Sequence, residues 1–87
     1  MTKIEQLQDR YHELAKLERR KFWEMTAAFF DVTARDTGAV LGLEPAATQE
    51  LHDRANALRA EHRALDEECQ RIMAEAFPES GTPPGDA

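Results

Sequence analysis

Residues 51–76 read LHDRANALRAEHRALDEECQRIMAEA, a stretch without glycine or proline. Leu51, Leu58, Leu65 and Ile72 recur every seven residues; Ala55, His62, Cys69 and Ala76 recur at the same interval, four residues further on. Alternating steps of four and three place all eight on one stripe of an α-helix. Large side chains at one seam position and small or polar ones at the other call for a facing helix whose large residues meet the small ones. On its outer side the pairs Glu50 with Arg54 and Glu67 with Arg71 are spaced for i,i+4 ion pairs, worth about 0.3 kcal/mol each.

The facing helix is found upstream. Thr2-Lys3-Ile4-Glu5 is a capping box, with a hydroxyl positioned for orphan backbone N–H groups and a glutamate three residues on. Ile4, Leu7, Tyr11 and Leu14 continue from it as a heptad seam, and Phe22, Met25, Phe29 and Val32 form a second run. Phe22 stands eight residues after Leu14, which reads as a stutter, or as one eleven-residue repeat from Tyr11 to Phe22; either unwinds a left-handed supercoil locally. Gly38, Gly42 and Pro45 punctuate the chain, and Pro45 fits the first turn of the next helix, where its missing N–H costs nothing.

The expected fold is therefore all-α: an antiparallel two-helix hairpin over 1–77, with helices at 3–37 and 45–77 and a connector at 38–44. Val40, Leu41 and Leu43 of the connector are expected to plug the end of the hairpin. Residues 78–87, with three prolines, two glycines and no large apolar side chain, are expected to be a disordered tail. A turn centred near residue 41 pairs residues whose numbers sum to about 83. Large then meets small: Phe29 falls near Ala55, Phe22 near His62, Leu14 near Cys69 and Leu7 near Ala76. Charge agrees, since residues 3–21 carry net +2 and residues 62–80 carry net −3.

Composition narrows the function classes. Ala, Glu, Leu, Arg and Lys make up 44 of the 87 residues, and the aliphatic β-branched residues are only Ile4, Val32, Val40 and Ile72, which disfavours a β-sheet domain. A net charge of −6 argues against nucleic-acid binding through overall charge. No apolar run approaches the roughly 20 residues that span a bilayer, so no membrane role is expected. The N-terminus lacks the apolar core of a secretory signal. A lone cysteine, Cys69, suits a reducing compartment, so the expected location is cytoplasmic.

One stretch exceeds what a hairpin can cover. Phe22, Met25 and Phe29 share one helix face, and Trp23, Ala27, Phe30 and Ala34 share the neighbouring one. A helix apolar over so wide an arc is normally covered on two sides, and a two-helix hairpin of this size has little interior to be stable alone. The reading is a homodimer forming a four-helix bundle, or a larger protein partner, with Phe22, Trp23, Met25, Phe29 and Phe30 as the interface. Function is then a non-enzymatic interaction, regulatory or adaptor module. The alternatives are a ligand- or metal-sensing bundle centred on His62, and a secreted helical-hairpin effector or chaperone-like partner.

His62 is expected to be a register-setting polar residue of the seam. Its sharper reading is a switch: if it faced its symmetry mate, protonation below about pH 6 would loosen the dimer. No metal site or cofactor is expected, because the Glu-x-x-His motif of carboxylate-bridged bundles does not occur. Nor is a catalytic site, because Gly-rich phosphate loops, Gly-x-Ser-x-Gly and His-Glu-x-x-His are absent as well. Cys69 is read as a buried, inert thiol. Arg19-Arg20-Lys21 ahead of Phe22-Trp23 is read as a solvated basic edge, partly neutralised by Asp66-Glu67-Glu68. Neither the basic catalytic pattern of the all-helical chorismate mutases nor the Trp-x-Gly turn of WXG-type hairpins is present.

Overall fold

A computed structural model describes residues 2–78 and consists of two helices, α1 (Lys3–Val40) and α2 (Gln49–Ala76), packed along each other as a hairpin with no strand among the described residues. The expectation for residues 79–87 lies outside the described part of the chain. At 1.5 Å per residue α1 is about 57 Å long and α2 about 42 Å. No helix is long and apolar enough to cross a membrane.

Each helix begins at a threonine. The Thr2 hydroxyl accepts from the Glu5 backbone N–H at 3.2 Å and donates to the Glu5 carboxylate at 3.1 Å. Thr48 accepts from the Leu51 N–H at 3.2 Å, so α2 starts at Gln49, four residues beyond the expected Pro45. An N-cap side chain that satisfies an orphan donor outweighs the proline signal here. α1 also runs past its expected end at residue 37. It ends at Val40, and the chain reverses at Gly42, whose φ of 74° places it in the left-handed region. The Gly42 N–H donates to Ala39 O (3.0 Å) and the Leu43 N–H to Gly38 O (2.8 Å), the paired bonds of a Schellman turn.

That turn corrects a further expectation. Val40, Leu41 and Leu43 do not plug the hairpin; they are 87%, 66% and 78% exposed, Val40 and Leu41 at the end of α1 and Leu43 beyond the turn. The connector instead folds back along α1. The Glu44 side chain lies against Gly38, so close that a Cβ there would sit 2.6 Å from it. Asp36 accepts from the Ala47 N–H at 2.9 Å and pairs with His52 at 3.2 Å, tying the connector and the start of α2 to α1.

The seam of α2 is as expected: Ala55, Leu58, Cys69 and Ile72 are buried, and Leu51, His62, Leu65 and Ala76 are half-buried. The seam of α1 differs. Leu7, Tyr11, Leu14, Glu18, Lys21, Met25, Ala28 and Val32 alternate steps of four and three, and Asp36 and Ala39 continue the series after a second step of four, all buried or half-buried. The step from Leu14 to Phe22 is not a stutter; two successive steps of four, Ala28 to Val32 to Asp36, place one near the end of α1 instead. Charged residues occupy the positions where the apolar pattern lapsed, and Ile4, an assumed seam residue, is 56% exposed.

Register follows the summing rule where side chains are short or central: Asp36 with Ala47, Lys21 with Glu61 (3.0 Å) and Phe22 with His62. Longer side chains reach up or down the axis, as in Arg10 to Glu68 (2.6 Å) and Lys3 to Glu75 (3.6 Å). These pairs join the basic and acidic segments as their opposite net charges required. The expected pairs Glu50–Arg54 and Glu67–Arg71 do not form; Arg71 turns to Glu68 (2.6 Å), which sits closer to the seam and already holds Arg10.

Hydrogen bonding from Arg71 holds the Glu68 carboxyl below its ordinary range, against partial desolvation and with help from the charges of Arg71 and Arg10. The Glu61 hydrogen bond raises the Lys21 ammonium above its ordinary value, against desolvation and with help from Glu24. A depressed carboxyl stabilises the fold above its ordinary value and ceases to do so as pH falls through the folded value; a raised ammonium stabilises below its ordinary value and ceases to do so as pH climbs through the folded one. Glu68→Gln should therefore lower the thermal midpoint at pH 7, and the gap to wild type should close as pH drops below the usual carboxylate range near about 4. A gap independent of pH, followed by circular dichroism, would contradict this. Gly42→Ala should cost about 1 kcal/mol, because a Cβ is strained in the left-handed region; urea unfolding with an unchanged midpoint would show that the turn does not depend on that conformation.

Candidate interaction surface

At mid-height the hairpin is held by a polar layer rather than by apolar packing. Glu18 and Lys21 come from α1, Glu61 and His62 from α2. The His62 Nε2–H donates to Glu18 at 2.7 Å, since a carboxylate can only accept. Their side chains are 20% and 29% exposed, so the bond is partly screened from water. The Phe22 ring packs on the His62 ring with centroids 5.6 Å apart, and Trp23 meets Phe22 edge-on at 5.4 Å. A line of contacts thus runs from the surface indole through Phe22 and His62 to Glu18.

This placement bears on His62. Its bonding nitrogen is engaged by Glu18 of its own chain, within the seam. Among the described residues no group of three His, Cys, Asp or Glu side chains is arranged to hold a metal ion. Cys69 is buried, and burial first, then the nearby charges of Glu18, Asp66 and Glu68, pushes its thiol up. A thiol so placed has little thiolate and little nucleophilicity.

The five aromatic-face residues divide into two groups. Met25 and Phe29 are half-buried against α2, with the Arg59 guanidinium 5.7 Å above the Phe29 ring. Phe22 lies at the edge of the seam, 39% exposed. Trp23 and Phe30 are 63% and 71% exposed. Two residues along a helix turn the direction by about 200°, so Trp23 and Phe30 point away from α2 as directly as Met25 and Val32 point toward it. Ala27 and Ala34, also exposed, continue the same outer stripe. No part of α2 can reach it.

At its N-terminal end the stripe turns basic. His12, Ala15, Lys16, Arg19, Arg20 and Trp23 line a shallow depression. The expected neutralisation by residues 66–68 does not occur. Lys21 is satisfied by Glu24 (3.4 Å) and Glu61, while Glu68 is occupied by Arg10 and Arg71. Arg19 and Arg20 make no ion pair among the described residues. A second concavity, of about 280 Å³, lies at the open end of the hairpin between Leu7, Tyr11, Ile72 and Phe77.

Periodicity found the aromatic faces but missed the Glu18–His62 bond. The signal for it was present: Glu18 and Lys21 stand four and seven residues after Leu14, the steps that continue the seam.

No known protein family, curated protein or solved structure matches this chain.

The Glu18–His62 bond should be worth about 1 kcal/mol as a coupling in a double-mutant cycle of Glu18→Ala and His62→Ala. Replacing both residues by leucine should be neutral or stabilising, because no polar atom is then left without a partner. A coupling of zero by urea unfolding would mean that the layer is held by Phe22 packing alone.

Proposed function

We propose that this chain is a non-enzymatic interaction module that assembles through the outer face of α1, and that its principal assembly is a homodimer in which two hairpins make a four-helix bundle. The observation that carries this reading is the pair Trp23 and Phe30, both mostly exposed on the side of α1 opposite α2.

Three physical arguments support it. Full burial of a large apolar side chain is worth about 1.5–3 kcal/mol, so leaving two such rings in water forgoes a large share of the apolar burial this chain can make. The interior is thin: the buried apolar residues among those described are Leu7, Val32, Ala55, Leu58, Cys69 and Ile72, and small single-core chains are commonly completed by oligomerisation. Trp23 is also braced on Phe22, so its ring is partly ordered before a partner arrives, and pre-ordered aromatics make strong interface anchors.

In this reading Phe22 is the rim between the intramolecular seam and the assembly face. Met25 and Phe29 belong to the hairpin and support the face from beneath. Trp23→Ala and Phe30→Ala should each raise the dissociation constant at least about tenfold while leaving the far-ultraviolet helical signal of the concentrated protein nearly unchanged. Emission from the single tryptophan should shift to shorter wavelength as the wild type is concentrated. Emission that stays at the solvated position from about 1 to 100 µM, a range in which interfaces of this kind form, would overturn the proposal.

A further inference from the structure

Resting on the self-association reading, we infer that the occupant of the outer stripe is α1 of a second copy, laid antiparallel about a two-fold axis midway between residues 28 and 29. The inference comes from how the stripe matches itself when reversed. In that register Trp23 lies over Ala34 of the second copy and Phe30 over its Ala27, and the same two contacts repeat by symmetry. Each of the four stripe residues, all exposed in the hairpin, then meets a residue of complementary size. This large-to-small alternation is the packing rule that the intramolecular seam already obeys.

Charge fixes the same register independently. Arg20 and Gly38 stand eighteen residues apart in α1, about five full turns, so they lie on one flank of the stripe. In an antiparallel two-fold pair each flank meets the same flank of the other copy. Arg20 therefore comes within one residue of level with Gly38 of the second copy, and the side chain that lies on Gly38 is Glu44. Arg20 has no ion-pair partner within its own described chain, and Glu44 is exposed and likewise makes no ion pair among the described residues. At the ends of the stripe the aliphatic stem of Lys16 falls over the exposed Leu41, with its ammonium free to reach water.

Other registers lose these matches. Sliding by one heptad toward the N-termini places Phe30 against Arg20. Sliding by one heptad the other way carries Arg20 past the last turn of the partner's α1, which ends at Val40. A parallel pair stacks Trp23 on Trp23 and the basic ends on each other.

The test uses the full chain. Arg20→Glu and Glu44→Arg should each weaken dimerisation about tenfold at low salt, and the double variant should recover most of the loss, since a reversed pair restores complementarity. A spin label at Glu13→Cys, with Cys69 replaced by alanine and helicity checked by circular dichroism, should report a separation of about 47 Å between copies, from 1.5 Å of rise per residue. A dimer with a label distance below about 20 Å is parallel, and one shifted by about 10 Å in either direction is in a heptad-slipped register; either result, or a double variant no better than the singles, overturns this arrangement while leaving self-association standing. A wild type that is monomeric throughout overturns the self-association reading itself.

Discussion

A helix packed against a single neighbour has one covered side, and everything distinctive about this protein follows from that constraint. α1 is apolar on two sides between Phe22 and Ala34, but the chain supplies only α2 to cover it. The side facing Met25 and Val32 is closed by Ala55 and Leu58. The side carrying Trp23 and Phe30 is open. The hairpin is internally consistent, with its caps, seam and charges in agreement, and still leaves its largest aromatic surface in water.

The middle of the molecule shows how the two sides are related. Where the α1 seam turns charged, Glu18 and Lys21 meet His62 and Glu61. A polar layer is a weak source of stability but a good source of register, since sliding by one heptad would leave its members unpaired. Phe22 sits on that layer and Trp23 on Phe22, so the feature that fixes the hairpin's alignment also fixes the orientation of the outer face.

Much of the hairpin could be read from the residues. The eight-residue stripe from Leu51 to Ala76 is the seam of α2, and the turn position alone places Phe22 by His62, as found. What was not legible had local causes. Gly38 and Gly42 are equivalent as letters, but only Gly42 adopts a positive φ, so only it ends the helix. Pro45 and Thr48 are both start signals, and the one that caps an N–H prevails. Lys21 reads as part of a solvated basic edge and Glu18 carries no apolar seam signal, because periodicity is counted in apolar residues, whereas a seam can be carried through by charges that find partners. Val40, Leu41 and Leu43 were given an interior that the Schellman turn does not provide. On the outer face, Trp23 and Phe30 were readable as excess apolar surface, but their direction relative to α2 became definite only once the true seam of α1 was known.

We propose that the open side of α1 is closed by assembly. Sedimentation equilibrium of the wild-type chain tests it most directly. The expected mass approaches twice the 9.9 kDa of the single chain at roughly 50 µM, where an interface with two aromatic anchors per copy should be largely occupied. A mass that remains that of one chain at this concentration would contradict it.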